Sequence, residues 1–236
     1  MANYANKTKK RSTKKKSAPK SKSKLVALIK KTMLKTCETK NVPFAHSKLE
    51  IYHNSGSPAS GRILPTPYEL DGPNQQPAQG MSEQQRIGDS IITRGIKVRL
   101  LLGQKLDRMN VTFKIVVVRC STGYAPTTIA QMFDNQTGNI MLDSLNTDRL
   151  KVVYNKTIKK NISPQLDVVG GAKELTHFHK FYIKTQRKIN YVADIGKDFD
   201  KYKHYLYVFS FDAFGTLVTD NLSYVQGYSN LYYKDP

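Results

Sequence analysis

The chain has 236 residues, with 38 Lys and Arg against 18 Asp and Glu, a formal net charge of +20 and a pI near 9.8. That length suits one all-β domain with an appendage, and that charge calls for a polyanionic partner, either nucleic acid or an acidic membrane surface. No run approaches the roughly 18 to 20 apolar residues of a membrane span, so no membrane insertion is expected, and with only Cys37 and Cys120 present a disulfide framework is excluded in favour of free or buried thiols.

The charge is concentrated at the start. Residues 1 to 40 hold 14 basic groups and one acid, Glu38, so this segment carries +13 and the other 196 residues only +7. Residues 1 to 24 lack Leu, Ile, Val and Phe apart from what begins at Leu25, which leaves too little apolar surface to offset the entropy of ordering; a disordered basic arm is expected. Over 25 to 40 a short amphipathic helix and linker follow, with Leu25, Leu28, Ile29 and Met33 at helical spacing among Lys24, Lys30, Lys31 and Lys35. Three turns are too few to stand alone. The groups expected to contact phosphates are Lys7, Lys9, Lys10, Arg11, Lys14, Lys15, Lys16, Lys20, Lys22, Lys24, Lys30, Lys31 and Lys35. Being almost all lysines, they suit neutralisation of any sequence rather than bidentate reading of bases. The same run, Lys7 to Lys16, also reads as a nuclear-import signal and so implies a host import receptor as a partner.

The remainder, 41 to 236, is expected to be the folded domain. A possible strand at Lys48 to Tyr52 is followed by an irregular Pro- and Gly-rich loop over 54 to 80. Six β-branched and aromatic segments come next: Ile91 to Leu102, Val111 to Cys120, Arg149 to Ile158, Phe178 to Arg187, Tyr205 to Phe211 and Leu222 to Tyr233. Several alternate, as where Lys180 and Lys184 share one face while Phe181 and Ile183 share the other. Pro126 to Phe133 is the one other helical candidate. Strands at this spacing with inserted loops predict a sandwich or barrel.

Candidate sites are few. His177 and His179 fall on one strand face, but two imidazoles without a third ligand make a poor metal site, and packing is the better reading. Asp194, Asp198 and Asp200 cluster in a Gly-containing loop and are weak calcium candidates without EF-hand spacing; a solvated acidic loop is the plainer reading. No phosphate loop, HExxH or GxSxG occurs, so no cofactor and no enzymatic activity are expected.

The order of Gln84 to Asp89 (QQRIGD), the interrupted apolar strand after it, VTFKIVVVRC at 111 to 120, APTTIAQMF at 125 to 133, LDSLNTDRLKVVYNKTI at 142 to 158, and the aromatic strands YLYVFSF and YVQGYSNLYY resembles the coat proteins of satellite necrosis viruses and of circular single-stranded DNA viruses that encode a replication initiator. The resemblance covers roughly 81 to 236. It implies a single eight-stranded antiparallel jelly roll, self-association into an icosahedral shell of about sixty copies, and packaging of a single-stranded genome, DNA favoured, by the lysine-rich arm. A virion location follows, with assembly in the host nucleus. The alternatives are a ribosomal-type nucleic-acid-binding protein with a basic tail, for which a basic patch on the folded domain is expected, and the coat protein of a small single-stranded RNA virus.

Overall fold

The structure is a computed structural model. It describes residues 24, 25, 28, 29, 32 and 37–236, apart from 54–63, 65, 73–74, 106–107, 109, 122–123, 135–136, 138, 149, 162–175, 192–201, 215–219 and 236. The chain divides into two compact units, Met1–Cys37 and Glu38–Pro236. In the first, Lys24, Leu25, Leu28, Ile29 and Thr32 are helical, Thr32 Oγ1 donates to the Leu28 carbonyl at 3.0 Å, and the three apolar side chains are exposed. Met33, Lys30, Lys31 and Lys35, and with them the extent of the expected helix, lie outside the described residues, as does the expected disordered arm.

The second unit is an antiparallel sandwich of two sheets. Its described strands are β1 (Thr39–Tyr52), β2 (Tyr68–Glu69), β3 (Ser90–Gln104), β4 (Asn110–Ser121), β5 (Lys151–Asn161), β6 (Thr176–Lys184), β7 (Lys188–Asn190), β8 (Tyr202–Asp212) and β9 (Asn221–Lys234). Sheet A has the order β1-β9-β3-β6, with β7 also pairing β3; sheet B has the order β2-β8-β4-β5.

Period-two alternation decides which face each strand buries. On β3, Ile96, Val98, Leu100 and Leu102 point between the sheets, where they meet Phe113, Ile115 and Val117 of β4 and Leu206 and Val208 of β8 in one apolar cluster. A bulge between Thr93 and Gly95 inserts one residue and switches the alternation, so that Ile91 and Thr93 are buried upstream of it. Gly95 is required there, because a Cβ would lie 2.4 Å from the Ile183 carbonyl oxygen of the neighbouring strand.

β1 is longer than the sequence suggests. It pairs with β9 from Thr39↔Lys234 to Tyr52↔Asn221, and it can hold Pro43 because it is an edge strand, where a missing N–H costs no ladder bond. β6 and β7 are separated by residues 185–187, where Gln186 takes a left-handed φ of 44°; both segments pair with β3.

Candidate functional site

The outer faces of the two sheets differ. On sheet B, Val116, Val118 and Cys120 of β4 and Tyr205, Tyr207 and Phe209 of β8 project outward, and they are buried under a roof made of Leu64, Ile129, Met132, Phe133, Ile140 and Leu150. The roof is anchored by chemistry as well as apolar contact. Its short helix, Ile129–Met132, opens on a Thr128/Gln131 capping box, which satisfies N–H groups that the first turn leaves unpaired. Phe133 meets Phe209 edge-on with centroids 5.5 Å apart, and Tyr207 donates to the Pro126 carbonyl at 2.9 Å. Lys114, buried on the same side, donates to the carbonyls of Ile140 at 2.6 Å and Asp143 at 3.2 Å and sits 4.9 Å from the Phe133 ring centre. Burial pushes its ammonium pKa down, with Asp143 opposing the shift. Burial likewise pushes the Cys120 thiol up to about 11, so this free cysteine is an inert packing group.

Sheet A has no such roof among the described residues. The register aligns Lys97 with Tyr182 on one side and Asn230 on the other, Arg99 with Lys180 and Tyr228, and Leu101 with Phe178 and Gln226. Phe178, Tyr182 and Tyr228 are 57%, 48% and 36% exposed. Along β6 the outward positions therefore read Phe178, Lys180, Tyr182, Lys184, aromatic and cationic in alternation. Arg94 lies beside Tyr182 at the rim of a shallow groove that Lys97, Lys180 and Tyr232 also line. The strands of this sheet contain a single carboxylate, Glu50, and its side chain accepts a hydrogen bond from Asn221 Nδ2. None of Arg94, Lys97, Arg99, Lys180 and Lys184 has a carboxylate partner among the described residues.

Charge totals hid this surface. The +7 outside the first 40 residues suggests little, yet strand pairing gathers cations from positions 94 to 99 and 180 to 184 on one side. The detectable signal was the parity of Lys180 and Lys184, which gained a partner set only once β3 was known to lie beside β6.

The residues singled out by sequence have other duties. In QQRIGD, Arg86 is fully buried, with its guanidinium 3.9 Å from the Tyr191 ring centre and Nη1 donating to the Gly88 carbonyl at 2.5 Å. Ile87 N–H and Gly88 N–H donate to the Asp235 carboxylate at 2.5 and 3.5 Å, and Lys40 Nζ lies 3.7 Å from it. The motif is thus a plug that ties β1, β3 and the end of β9 together. His177 and His179 do share a face, but His179 Nε2 is hydrogen-bonded to the Tyr154 hydroxyl at 2.8 Å, and both imidazoles are pushed below their usual pKa, mainly by burial and then by nearby charges. No group of three His, Cys, Asp or Glu able to hold a metal is present among the described residues. Asp194, Asp198 and Asp200 lie outside them, as do Lys7, Lys9, Lys10, Arg11, Lys14, Lys15, Lys16, Lys20 and Lys22.

Sequence reasoning missed a buried latch. Asp71 Oδ2 accepts from Arg187 Nη2 and from His204 Nδ1, both at 2.7 Å, while Oδ1 accepts from the His204 backbone N–H at 2.7 Å. It clasps the loop after β2, the corner before β7 and the start of β8. Removing one partner of such an enclosed set is costly because it leaves the others unpaired, and these three residues are too far apart in sequence to be paired without the fold.

Comparison with known proteins adds little. No family model and no curated protein matches the chain. Among solved structures, a cryo-EM structure of a semi-empty virus-like particle of the giant freshwater prawn Macrobrachium rosenbergii nodavirus is similar with a TM-score of 0.36 and 8% identity, covering 85% of this chain and 85% of that one. A likeness that distant carries no functional argument. The expected kinship with circular single-stranded DNA viruses is not what this comparison returns: the particle is that of a nodavirus, a single-stranded RNA virus. The DNA genome and the DNA-binding role read from that kinship are corrected with it.

Proposed function

We propose that the protein is a structural coat subunit of a small virus with single-stranded RNA, associating with copies of itself into a closed shell and performing no catalysis. The observation that carries the reading is the strand order. Counting β6 and β7 as one bent strand, because both pair with β3, gives four strands in each sheet, with β1 beside β9 and β2 beside β8. That order supports reading the sandwich as a jelly roll, the double Greek key used by viral capsid domains. A lysine-rich leading segment of +13 adds a polyelectrolyte suited to lie against packaged phosphates.

A second reading has its own support: a nucleic-acid-binding protein with a basic tail and no shell, favoured by the basic outer face of sheet A. Electron microscopy and sedimentation of the purified full chain decide between them. Closed particles whose nucleic acid is destroyed by ribonuclease after disruption, and spared by deoxyribonuclease, are the expected result. Monomers at every salt concentration and pH, with and without added RNA, would remove the coat reading.

A further inference from the structure

We propose that the outer face of sheet A is a platform for single-stranded nucleic acid, on which bases stack on Phe178 and Tyr182 while Lys97, Arg99, Lys180 and Lys184 hold the phosphates. This deepens the coat reading by placing the strand on the folded domain, and it rests on that reading only for the identity of the nucleic acid as RNA. Three observations carry it.

The first is the alternation on β6. Outward positions two apart on a strand recur about every 7 Å, so Phe178, Lys180, Tyr182 and Lys184 present ring, cation, ring, cation in a line. Exposed rings with interleaved cations are how proteins hold single strands without reading sequence: every base has a face to stack, and every nucleotide has a phosphate.

The second is an unfavourable pair that folding does not need. Arg99 stands directly opposite Lys180, and like charges across a strand pair are destabilising. Lys97 adds a third cation one step along β3, and no carboxylate on the described chain reaches any of them. A bound polyanion removes that repulsion.

The third is the poor fit of a second copy of this chain. A two-fold contact sets a patch against itself, so face-to-face packing of two A sheets would oppose cations to cations. Sheet B, by contrast, is already covered by its own roof.

The test uses the full chain and a short thiouridine-containing RNA oligonucleotide at high salt, where the purely electrostatic contribution of the lysine-rich segment is weakest. Photo-cross-links on the 176–184 peptide are expected. The double substitution Phe178→Ala and Tyr182→Ala should weaken binding by about thirty-fold or more, Tyr182→Phe should restore its share, and Lys180→Gln should lower the salt slope by about 0.7. Should the double variant misfold, Lys180→Gln and the cross-link map decide alone. Cross-links confined to residues 1–37 with undiminished affinity of the double variant would overturn the proposal. So would a double variant that loses self-association yet keeps its RNA affinity, since the face would then be a subunit contact. Microscopy of the same samples separates the two readings: cross-links on β6 without shells leave the platform and remove the coat, and shells without those cross-links do the reverse.

Discussion

The outer faces of the two sheets obey the same geometry and reach opposite outcomes. On β4, residues of both parities are apolar, with Phe113, Ile115 and Val117 facing one way and Val116 and Val118 the other. Such a strand cannot leave either side in water, and the chain supplies the roof from the segment between β4 and β5 together with Leu64 from before β2. Past its bulge β3 is apolar on one parity, and the inward parity of β6 carries His177, His179, Phe181 and Ile183; the other parity of both carries Lys97, Arg99, Lys180 and Lys184, and that side has no cover among the described residues. A sheet's need for cover is thus written in whether both parities or one are apolar. The exposed rings of sheet A then stand out as apolar groups on a side that did not need them.

The largest break of this contrast should come from the roof. Phe133→Ala removes a fully buried ring that touches both Phe209 and Lys114, and about 3 to 5 kcal/mol of stability should be lost in urea unfolding; a loss below 1 kcal/mol would mean the roof is dispensable. A smaller effect concerns pH. His46, on the inner face of β1, is hydrogen-bonded to Ser229 Oγ at 2.9 Å and stacked on Tyr68, and burial lowers its pKa from 6.5 to about 4. The unfolded chain therefore takes up a proton that the folded one refuses, so stability is full above pH 6.5 and declines as pH falls from there toward 4. His46→Gln should shallow that decline, measured as the difference between unfolding midpoints at the two ends of the window; parallel curves would assign the acid sensitivity to other groups. The smallest effect belongs to sheet A: Phe178→Ala with Tyr182→Ala should shift stability by no more than about 0.5 kcal/mol per site, and a larger loss would show that these rings support the fold.

Strands with one apolar parity or two were legible from residue types alone, and β3, β4, β8 and β9 lie close to where alternation places them. β1 was read short because Thr39 to Ser47 contains Pro43, His46 and several polar residues, which only an edge position accommodates. β2 is two residues long in a Pro-rich stretch, shorter than any periodicity can register. The helix lies within the expected Pro126 to Phe133 but is confined to Ile129–Met132, with Thr128 before it and Phe133 after it already in extended backbone. At the candidate site, Lys180 and Lys184 were visible as a pair, whereas Arg99 opposite Lys180 depends on which strands are neighbours, and that is set by long-range pairing which no local pattern encodes. Arg86 and Asp71 were unreadable for the same reason, their partners being Tyr191 and His204.

The pairing of β1 with β9, closed by Asp235 against Ile87, Gly88 and Lys40, has a consequence for synthesis. Thr39 pairs with Lys234, so at about 5 to 20 residues per second the first strand waits on the order of 10 to 40 s on the ribosome before its partner exists. During that wait its hydrogen-bonding edge is open to other chains, and a polysome making this protein holds many such edges close together. Folding dominated by contacts so distant in sequence is intrinsically slow, and crowded nascent chains with exposed strand edges are prone to pair with one another. Expression at lower temperature, where synthesis and encounter both slow, should raise the soluble yield more than any substitution on the exposed face of sheet A.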